Sequence, residues 1–285
     1  MPVEIVDSEV QRAPLLGRRV VFLTCHDKTR LVSEPLAALG FTVESLTTYN
    51  TDHFGTFSRE VGRTGSAEDT VLAKAKLAAD LGGARYGLGS EGSFGRDPHI
   101  GWMPWDYELL CLWDAERQYA VFALAGSGAT NYAQGEIDSL DAAVLFMEKA
   151  QFPEHALILG RPGEPWFRKG IRERDALIEQ LQALLPHEPR LWLETDMRAH
   201  LNPMRQAVIR AAAVVLAQRL ASHCPQCLAM GFALARSEPG LRCADCGTPT
   251  PLAAAHRWQC PACVYSDRRP VTGNAPPAHC GYCNP

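Results

Sequence analysis

Eight of the ten cysteines fall into four C-x-x-C pairs near the C-terminus: Cys224/Cys227, Cys243/Cys246, Cys260/Cys263 and Cys280/Cys283. Two cysteines separated by two residues in a tight turn aim both sulfurs at one ion, whereas a disulfide across so small a ring is strained. Successive pairs are separated by 15, 13 and 16 residues, close to the interval that lets two such knuckles meet at one tetrahedral metal. Pro225, Gly247, Pro261 and Gly281 supply turn-forming residues in or beside the knuckles. Two structural Zn²⁺ ions are therefore expected, each closed by four protein ligands with no open coordination position. Adjacent pairs sharing an ion is the expected arrangement, CPQC with CADC and CPAC with CGYC; interleaving is the alternative. With eight thiolates present, His223, His256 and His279 are expected as neighbours of the ligands or as solvated side chains. A disulfide framework would need an oxidising compartment. The first residues, MPVEIVDSEV, carry Glu4, Asp7 and Glu9 where an export signal carries positive charge. A cytoplasmic protein is the expectation.

Four polar clusters ahead of the tail hold the other candidate residues. Thr24, His26 and Lys28 follow an apolar strand, at the edge where α/β folds bind ligands. Glu60 and Arg63 stand among Gly55, Gly62 and Gly65, just before a helix that carries Lys74 and Lys76. The bare glycines permit close approach of a ligand, and a helix N-terminus accepts an anion. In G-L-G-S-E-G-S-F-G, Gly87 to Gly95, Ser90 and Glu91 sit among glycines too numerous for a simple turn, which suggests backbone crowded against a ligand or metal. Glu194, Asp196, Arg198 and His200 alternate along one side if extended, with Arg205 nearby; a salt-bridged hinge and a binding cluster explain them equally well. Lys169-Gly170 is a further candidate. Capping and solvation alone would account for Ser66, Asp69 and one of the two lysines.

These residues need elements to hold them. Arg19–Thr24 is a β-branched apolar run and reads as a buried strand. A short helix follows, with Ser33 as cap, Pro35 in its first turn and Gly40 at its end. Phe41–Leu46 alternates as a second strand. Ala67–Leu81 is a helix capped by Ser66, with Asp69 three residues on and Gly82 as its stop. Arg85–Gly89 reads as a short strand. Tyr107–Trp113 and Gln118–Ala125 form an antiparallel pair around Asp114–Arg117. Asp138–Lys149 is helical, His155–Leu159 a strand, Ile171–Leu185 a helix and Arg190–Leu193 a strand. Asn202 caps a long helix, Pro203–Leu220, that leads to Cys224. The fold class expected is α/β, a mixed sheet flanked by helices and followed by a small Cys-rich double zinc ribbon. The boundaries expected are an extension over 1–17, an α/β domain over 18–201, a connecting helix over 202–222 and the ribbon module over 223–285.

Composition agrees with a globular chain: 285 residues, 46% apolar and 21% charged. The longest apolar run, Ala211 to Ala217, is too short to span a bilayer. From Gln206 onward seven Lys/Arg face three Asp/Glu, a balance of +4 that two Cys₄ zinc sites would bring to about neutral; the rest of the chain is at −8. A strongly basic nucleic-acid footprint is absent.

Clusters one to three, in order, resemble the inosine-triphosphate-pyrophosphatase-like families. Those share a first-strand loop ending in lysine, an acidic loop before a helix of pattern N-A-x-x-K-A, and an acidic-glycine turn. Here Thr24 to Lys28, then Glu60 with Gly62 and Thr64-Gly65, then Thr70-Val71-x-x-Lys74-Ala75, then Gly89-Ser90-Glu91-Gly92 stand in those places. The departures are His26 and Thr70, where the families carry asparagine, and the lysine spacing in the first loop. The resemblance covers roughly residues 18–160. The whole chain, with T-D-M-R-A-H-x-N-P and a C-x-x-C-N-P ending, looks like an uncharacterised bacterial family with a zinc-ribbon tail. What the resemblance implies is Mg²⁺-dependent hydrolysis of a nucleoside triphosphate to monophosphate and pyrophosphate. Glu60 and Glu91 would hold Mg²⁺, and Lys28, Arg63 and Lys74 would neutralise phosphate charge. The alternative is a non-catalytic nucleotide sensor or scaffold whose ribbons bind nucleic acid or a partner protein. In that case Trp258 and Tyr265 would stack on bases beside Arg257, Arg268 and Arg269. No membrane partner is expected.

Overall fold

Strand β1 (Arg18–Leu23) lies between β2 (Phe41–Leu46) and β3 (Tyr86–Arg96) and pairs parallel with both. The computed structural model describes residues 18–24, 27–47, 65–97, 101–162, 164, 168–188 and 190–285. Beyond β3 the sheet continues antiparallel through β4 (Pro104–Asp114) and β5 (Tyr119–Ser127), giving the order β2-β1-β3-β4-β5. The two sheet faces divide by residue parity. Val20, Phe22, Tyr86, Leu88, Leu110 and Leu112 pack against α1 (Thr29–Ala37) and α5 (Pro203–Ala221). On the other face, Leu109, Cys111 and Trp113 pack against Val71 and Ala75 of α2 (Ala67–Gly82). Helix α5, expected as a connection, is thus a full layer of this sheet.

The glycine-rich segment corrects the sequence expectation. Gly87 to Gly95 is not a turn but the body of β3, and the crowding that its glycines permit comes from α2. A Cβ built on Gly87 would stand 1.9 Å from the Ala75 carbonyl oxygen, and one on Gly89 would stand 2.3 Å from that of Val71. Only glycine lets the helix backbone settle that near the strand.

The α2 N-cap agrees with the sequence, Ser66 Oγ accepting from the Asp69 N–H at 3.1 Å; at the other end Gly82, expected as the stop, is still helical and Gly83 ends the helix in the left-handed region. Helix α1 begins five residues earlier than expected, and Ser33 lies inside it, donating its hydroxyl to the Thr29 carbonyl.

A second, antiparallel sheet runs in the order β6 (Gln134–Ile137), β9 (Leu191–Thr195), β7 (Leu157–Gly160), β8 (Arg168–Ile171). Helices α3 (Leu140–Lys149) and α4 (Arg174–Leu184) cover it, with Met147, Leu157, Leu159, Leu177, Leu181 and Leu193 in its core. Ile171, expected to open a helix, closes β8 opposite Leu157, and α4 starts at Arg174. The tail is a meander of β10 (Ala233–Pro239), β11 (Ala253–Gln259) and β12 (Ser266–Pro270). No helix among the described residues is long and apolar enough to cross a membrane.

Candidate functional site

Each C-x-x-C pair sits in a tight turn. Leu228 N–H returns to the Cys224 carbonyl at 2.9 Å and Gly247 N–H to the Cys243 carbonyl at 3.0 Å, and both residues adopt positive φ. The four turns make two clusters: Cys224, Cys227, Cys260 and Cys263 form one, and Cys243, Cys246, Cys280 and Cys283 the other. The arrangement is therefore interleaved, not adjacent as expected. Its cause is the meander: β10 carries the chain away from the first knuckle, β11 brings it back, and β12 carries it out again. Knuckles one and three share one end of the sheet and knuckles two and four the other, separated by a seven-residue strand of roughly 20 Å.

Sulfur–sulfur distances are 3.9 Å for Cys224–Cys263, 3.7 Å for Cys227–Cys260, 3.9 Å for Cys243–Cys283 and 3.5 Å for Cys246–Cys280. Four sulfurs at the Zn–S distance of about 2.3 Å stand about 3.8 Å apart in a tetrahedron. A disulfide needs about 2.05 Å. Both clusters can hold a zinc ion.

The second concentration of chemistry lies at the carboxyl edge of the parallel strands. There β1 stops and β3 runs on, uncovering Ser90 and Glu91. Lys28, the residue that opens α1, donates from Nζ to Ser90 Oγ at 3.1 Å and lies 3.6 Å from Glu108 Oε2. On the same sheet face, Arg205 of α5 donates from Nε to Glu108 Oε1 at 2.5 Å and caps the Met197 carbonyl. The Arg205 guanidinium also lies over the Phe94 ring, 5.0 Å from its centre. On the opposite face, Lys74 of α2 meets Glu91 Oε2 at 2.5 Å. Lys28, Lys74, Ser90, Glu91, Glu108 and Arg205 are all buried. Gly92 makes room for one of the pairs: a Cβ there would stand 2.4 Å from Glu108 Oε1 and 2.7 Å from Arg205 Nη2.

Asp106, two residues before Glu108 on β4, is 0% exposed. Among the described residues neither of its carboxylate oxygens has a hydrogen-bond partner, and Glu108 Oε2 has only the Lys28 ion pair at 3.6 Å. Burial pushes the Asp106 carboxyl up to about 7, with Glu108 adding to the effect and Arg205 and Lys28 opposing it. Burial lowers the Lys28 amine to about 8 against the pull of Glu108. Glu108 is held below the usual range, because Arg205 and Lys28 outweigh its desolvation. A small hard cation takes carboxylate oxygens of this kind; the two of Asp106 are open, while Glu108 Oε2 faces Lys28. Glu91, by contrast, is occupied by Lys74.

A match to a known family covers the cysteine clusters and most of the second concentration. Residues 74–285 fit the family model described as a domain of unknown function, DUF6671. The chain belongs to the DUF6671 family. The DUF6671 match begins at Lys74 and contains Glu91, Asp106, Glu108, Arg205 and all eight tail cysteines, while Thr24 and Lys28 precede it. No curated protein and no solved structure matches the chain.

Of the residues singled out in sequence, the structure brings Thr24, Lys28, Lys74, Ser90 and Glu91 to one edge. Lys28 feels the charges of both Lys74 and Glu91, so the two faces communicate around the open end of β1. His26, Glu60 and Arg63 lie outside the described residues. Asp196 is fully buried and joins its own turn to β8. Its Oδ1 accepts from the Arg198 N–H at 3.1 Å and Nε at 2.9 Å, and its Oδ2 from Arg198 Nη2 at 2.6 Å and the Gly170 N–H at 3.1 Å. The salt bridge of the sequence reading is thus an Asp196–Arg198 pair that also ties this segment to Gly170 of β8. Its one-sided alternation is not kept, because Glu194 stays in β9 and accepts from Trp192 Nε1. His200 is exposed and within electrostatic reach of Asp27 in the β1–α1 loop.

The tail residues suggested for base stacking have internal partners. Phe232 packs on Trp258 and Tyr265, Glu238 binds Arg257 and Arg268, and Arg269 pairs with Asp267 above the Trp258 ring. Asp106 and Glu108 escaped sequence reading. Their signal was the period-two placement of two acids on the same strand face as Leu110 and Leu112, both core residues.

Proposed function

We propose that the protein is a Mg²⁺-dependent hydrolase of the nucleoside triphosphate pyrophosphatase kind, with an inosine-triphosphate-pyrophosphatase-like α/β domain and two structural zinc ions in a ribbon tail. The observation that carries this reading is the convergence of Lys28, Lys74 and Arg205 with Ser90, Glu91, Asp106 and Glu108 at the carboxyl edge of β1 and β3. Buried cations beside hydroxyl and carboxylate groups are what phosphoryl chemistry asks of a protein, since its catalysis is mostly positioning and charge stabilisation. Doubly wound sheets bind ligands at this edge. Lys28 would bind phosphate oxygens through its buried amine. Arg205 would hold Glu108 in place, and Ser90 would orient Lys28. The cation would polarise phosphate oxygens and supply a nucleophilic water at neutral pH.

The test is pyrophosphate release from a panel of standard, deaminated and oxidised nucleoside triphosphates by zinc-loaded protein with Mg²⁺. Selective release, reduced at least a hundredfold by Lys28→Met or Glu91→Gln, is the expected result. Silence across the panel from folded protein removes the hydrolase reading. Nucleotide binding with that silence would favour the alternative, a non-catalytic sensor whose tail engages a partner.

A further inference from the structure

The two cysteine clusters are matched in ligands and unmatched in shelter. In the first, Cys224 and Cys260 lie within the apolar core, and Cys227 and Cys263 pack against it. A Cβ built on Gly231 would stand 2.6 Å from Val121 Cγ2 and 3.1 Å from Pro261 Cγ, so these knuckles close tightly on β5. In the second, Cys246 and Cys283 are exposed, and a Cβ on Gly247 or Gly281 would meet no described residue within 4 Å. Each exposed sulfur there faces a buried one on the other knuckle. Cys246 stands 3.5 Å from Cys280, and Cys283 stands 3.9 Å from Cys243.

An exposed thiolate beside a second cysteine is the arrangement that reacts with oxidants, because the thiolate is the nucleophile and the neighbour captures the product. We infer that Cys246 is an oxidation site for hydroperoxides, and that its oxidation empties the second cluster of zinc while the first keeps its own. The Cys246 sulfur attacks one peroxide oxygen, the O–O bond breaks, hydroxide departs and a sulfenic acid forms. The Cys280 sulfur then attacks the sulfenic sulfur, expels a second hydroxide and closes a Cys246–Cys280 disulfide. Two electrons pass from the two sulfurs to the peroxide, and two protons from solvent turn both hydroxides into water. The sulfurs have to close from 3.5 Å to about 2.05 Å. Cys243 and Cys283 are then the only thiolates left, half the four ligands of a structural zinc site, and cannot retain the ion. Ala275 donates its N–H to the Arg242 carbonyl at 2.8 Å and accepts the Ala244 N–H at 2.9 Å. These ties keep knuckles two and four together without metal, so reduction and added zinc restore the site. The inference shares no residue with the hydrolase reading and stands apart from it.

The experiment treats protein loaded with two zinc ions per chain with excess hydrogen peroxide. A chromogenic chelator follows zinc release, and peptide mass spectrometry maps the disulfides. One ion per chain is expected to leave at least tenfold faster than the other, with a Cys246–Cys280 disulfide, and to rebind after dithiothreitol and zinc are added. Cys246→His removes the exposed thiol and leaves a Cys₃His set that still suits zinc. Its release from the second cluster should be at least tenfold slower, whereas Cys283→His should release as the wild type does. Equal release rates for the two ions overturn the inference, as does earlier loss from the first cluster or a mapped disulfide that excludes Cys246. Wild-type release from Cys246→His overturns it as well. If that variant binds only one zinc, the wild-type rates and its mapped disulfide decide alone.

Discussion

At the scale of single residues, the interior of this protein is unusually ionic, and partners decide the state of each group. Glu108 stays charged because Arg205 and Lys28 face it; Asp106, two residues away, is driven toward its neutral form by the same burial. His155 is another buried titratable group, 1% exposed, and its Nε2 accepts the Met204 N–H at 3.4 Å in the first turn of α5. Burial lowers its pKa below the usual histidine value, with the Gln151 carbonyl and Glu154 opposing. The neutral ring is the one the fold wants. Protonation would remove the acceptor and put a cation beside the positive end of the helix. Since the folded value lies below the unfolded value of about 6.5, this stabilisation is complete above that pH and lost as pH falls from there through the folded value. Between pH 7.5 and 5.5 the wild-type thermal midpoint should fall about 2–4 °C further than that of His155→Gln. Parallel melting curves for the two proteins would show that His155 is not the titrating cap.

At the scale of elements, what was legible in the sequence followed the strength of local signals. Strand β1 was readable from R-V-V-F-L, and the α5 start from Asn202-Pro203, because a β-branched run and a capped proline leave few alternatives. Strand β3 was not. Its glycines imitate a loop, and their cause, the α2 backbone pressed against the strand, is a tertiary contact invisible along the chain. Ile171 was misread for a similar reason, since its apolar side chain suits a helix face and a buried strand equally. The acids of β4 were missed because a single strand gives no hint that its core face will also receive Arg205 and Lys28 from helices far away in sequence. The packing explanation of β3 is open to test. Gly87→Ala places a methyl where the Ala75 carbonyl oxygen stands, and neither backbone can yield. It should cost about 3 kcal/mol or more. Gly95→Ala, with open space at its Cβ, should change stability little. Chemical denaturation of the two variants measures the contrast, and similar midpoints would refute close helix packing as the reason for the glycines.

At the scale of the whole molecule, the two cysteine clusters are unequal partners of the α/β core. The first is part of it: Cys224, Ala229, Met230, Phe232 and Cys260 lie in one apolar cluster with Val121, Leu216 and Leu220. Arg117 also binds the Cys227 carbonyl at 3.1 Å. Cys246 and Cys283 of the second cluster are exposed, and its four cysteines stand outside that core. The sequence held the key to this division in the order of the knuckles, because a three-stranded meander puts alternate knuckles at opposite ends. Spacing alone favoured neighbours, since it measures how far a chain can reach and not which way a strand points. Metal binding is folding energy wherever the site is part of the core. Cys260→Ser should therefore lower the thermal midpoint of the α/β domain, followed by the fluorescence of its buried tryptophan Trp113, by 10 °C or more. Cys280→Ser should release one zinc per chain and leave that midpoint within about 2 °C, because only β10–β12 and the distal turns depend on the second site. The reverse ranking, or an equal loss from both variants, would mean that the distal cluster also supports the core, through contacts other than those that join Cys224 and Cys260 to α5 and β5.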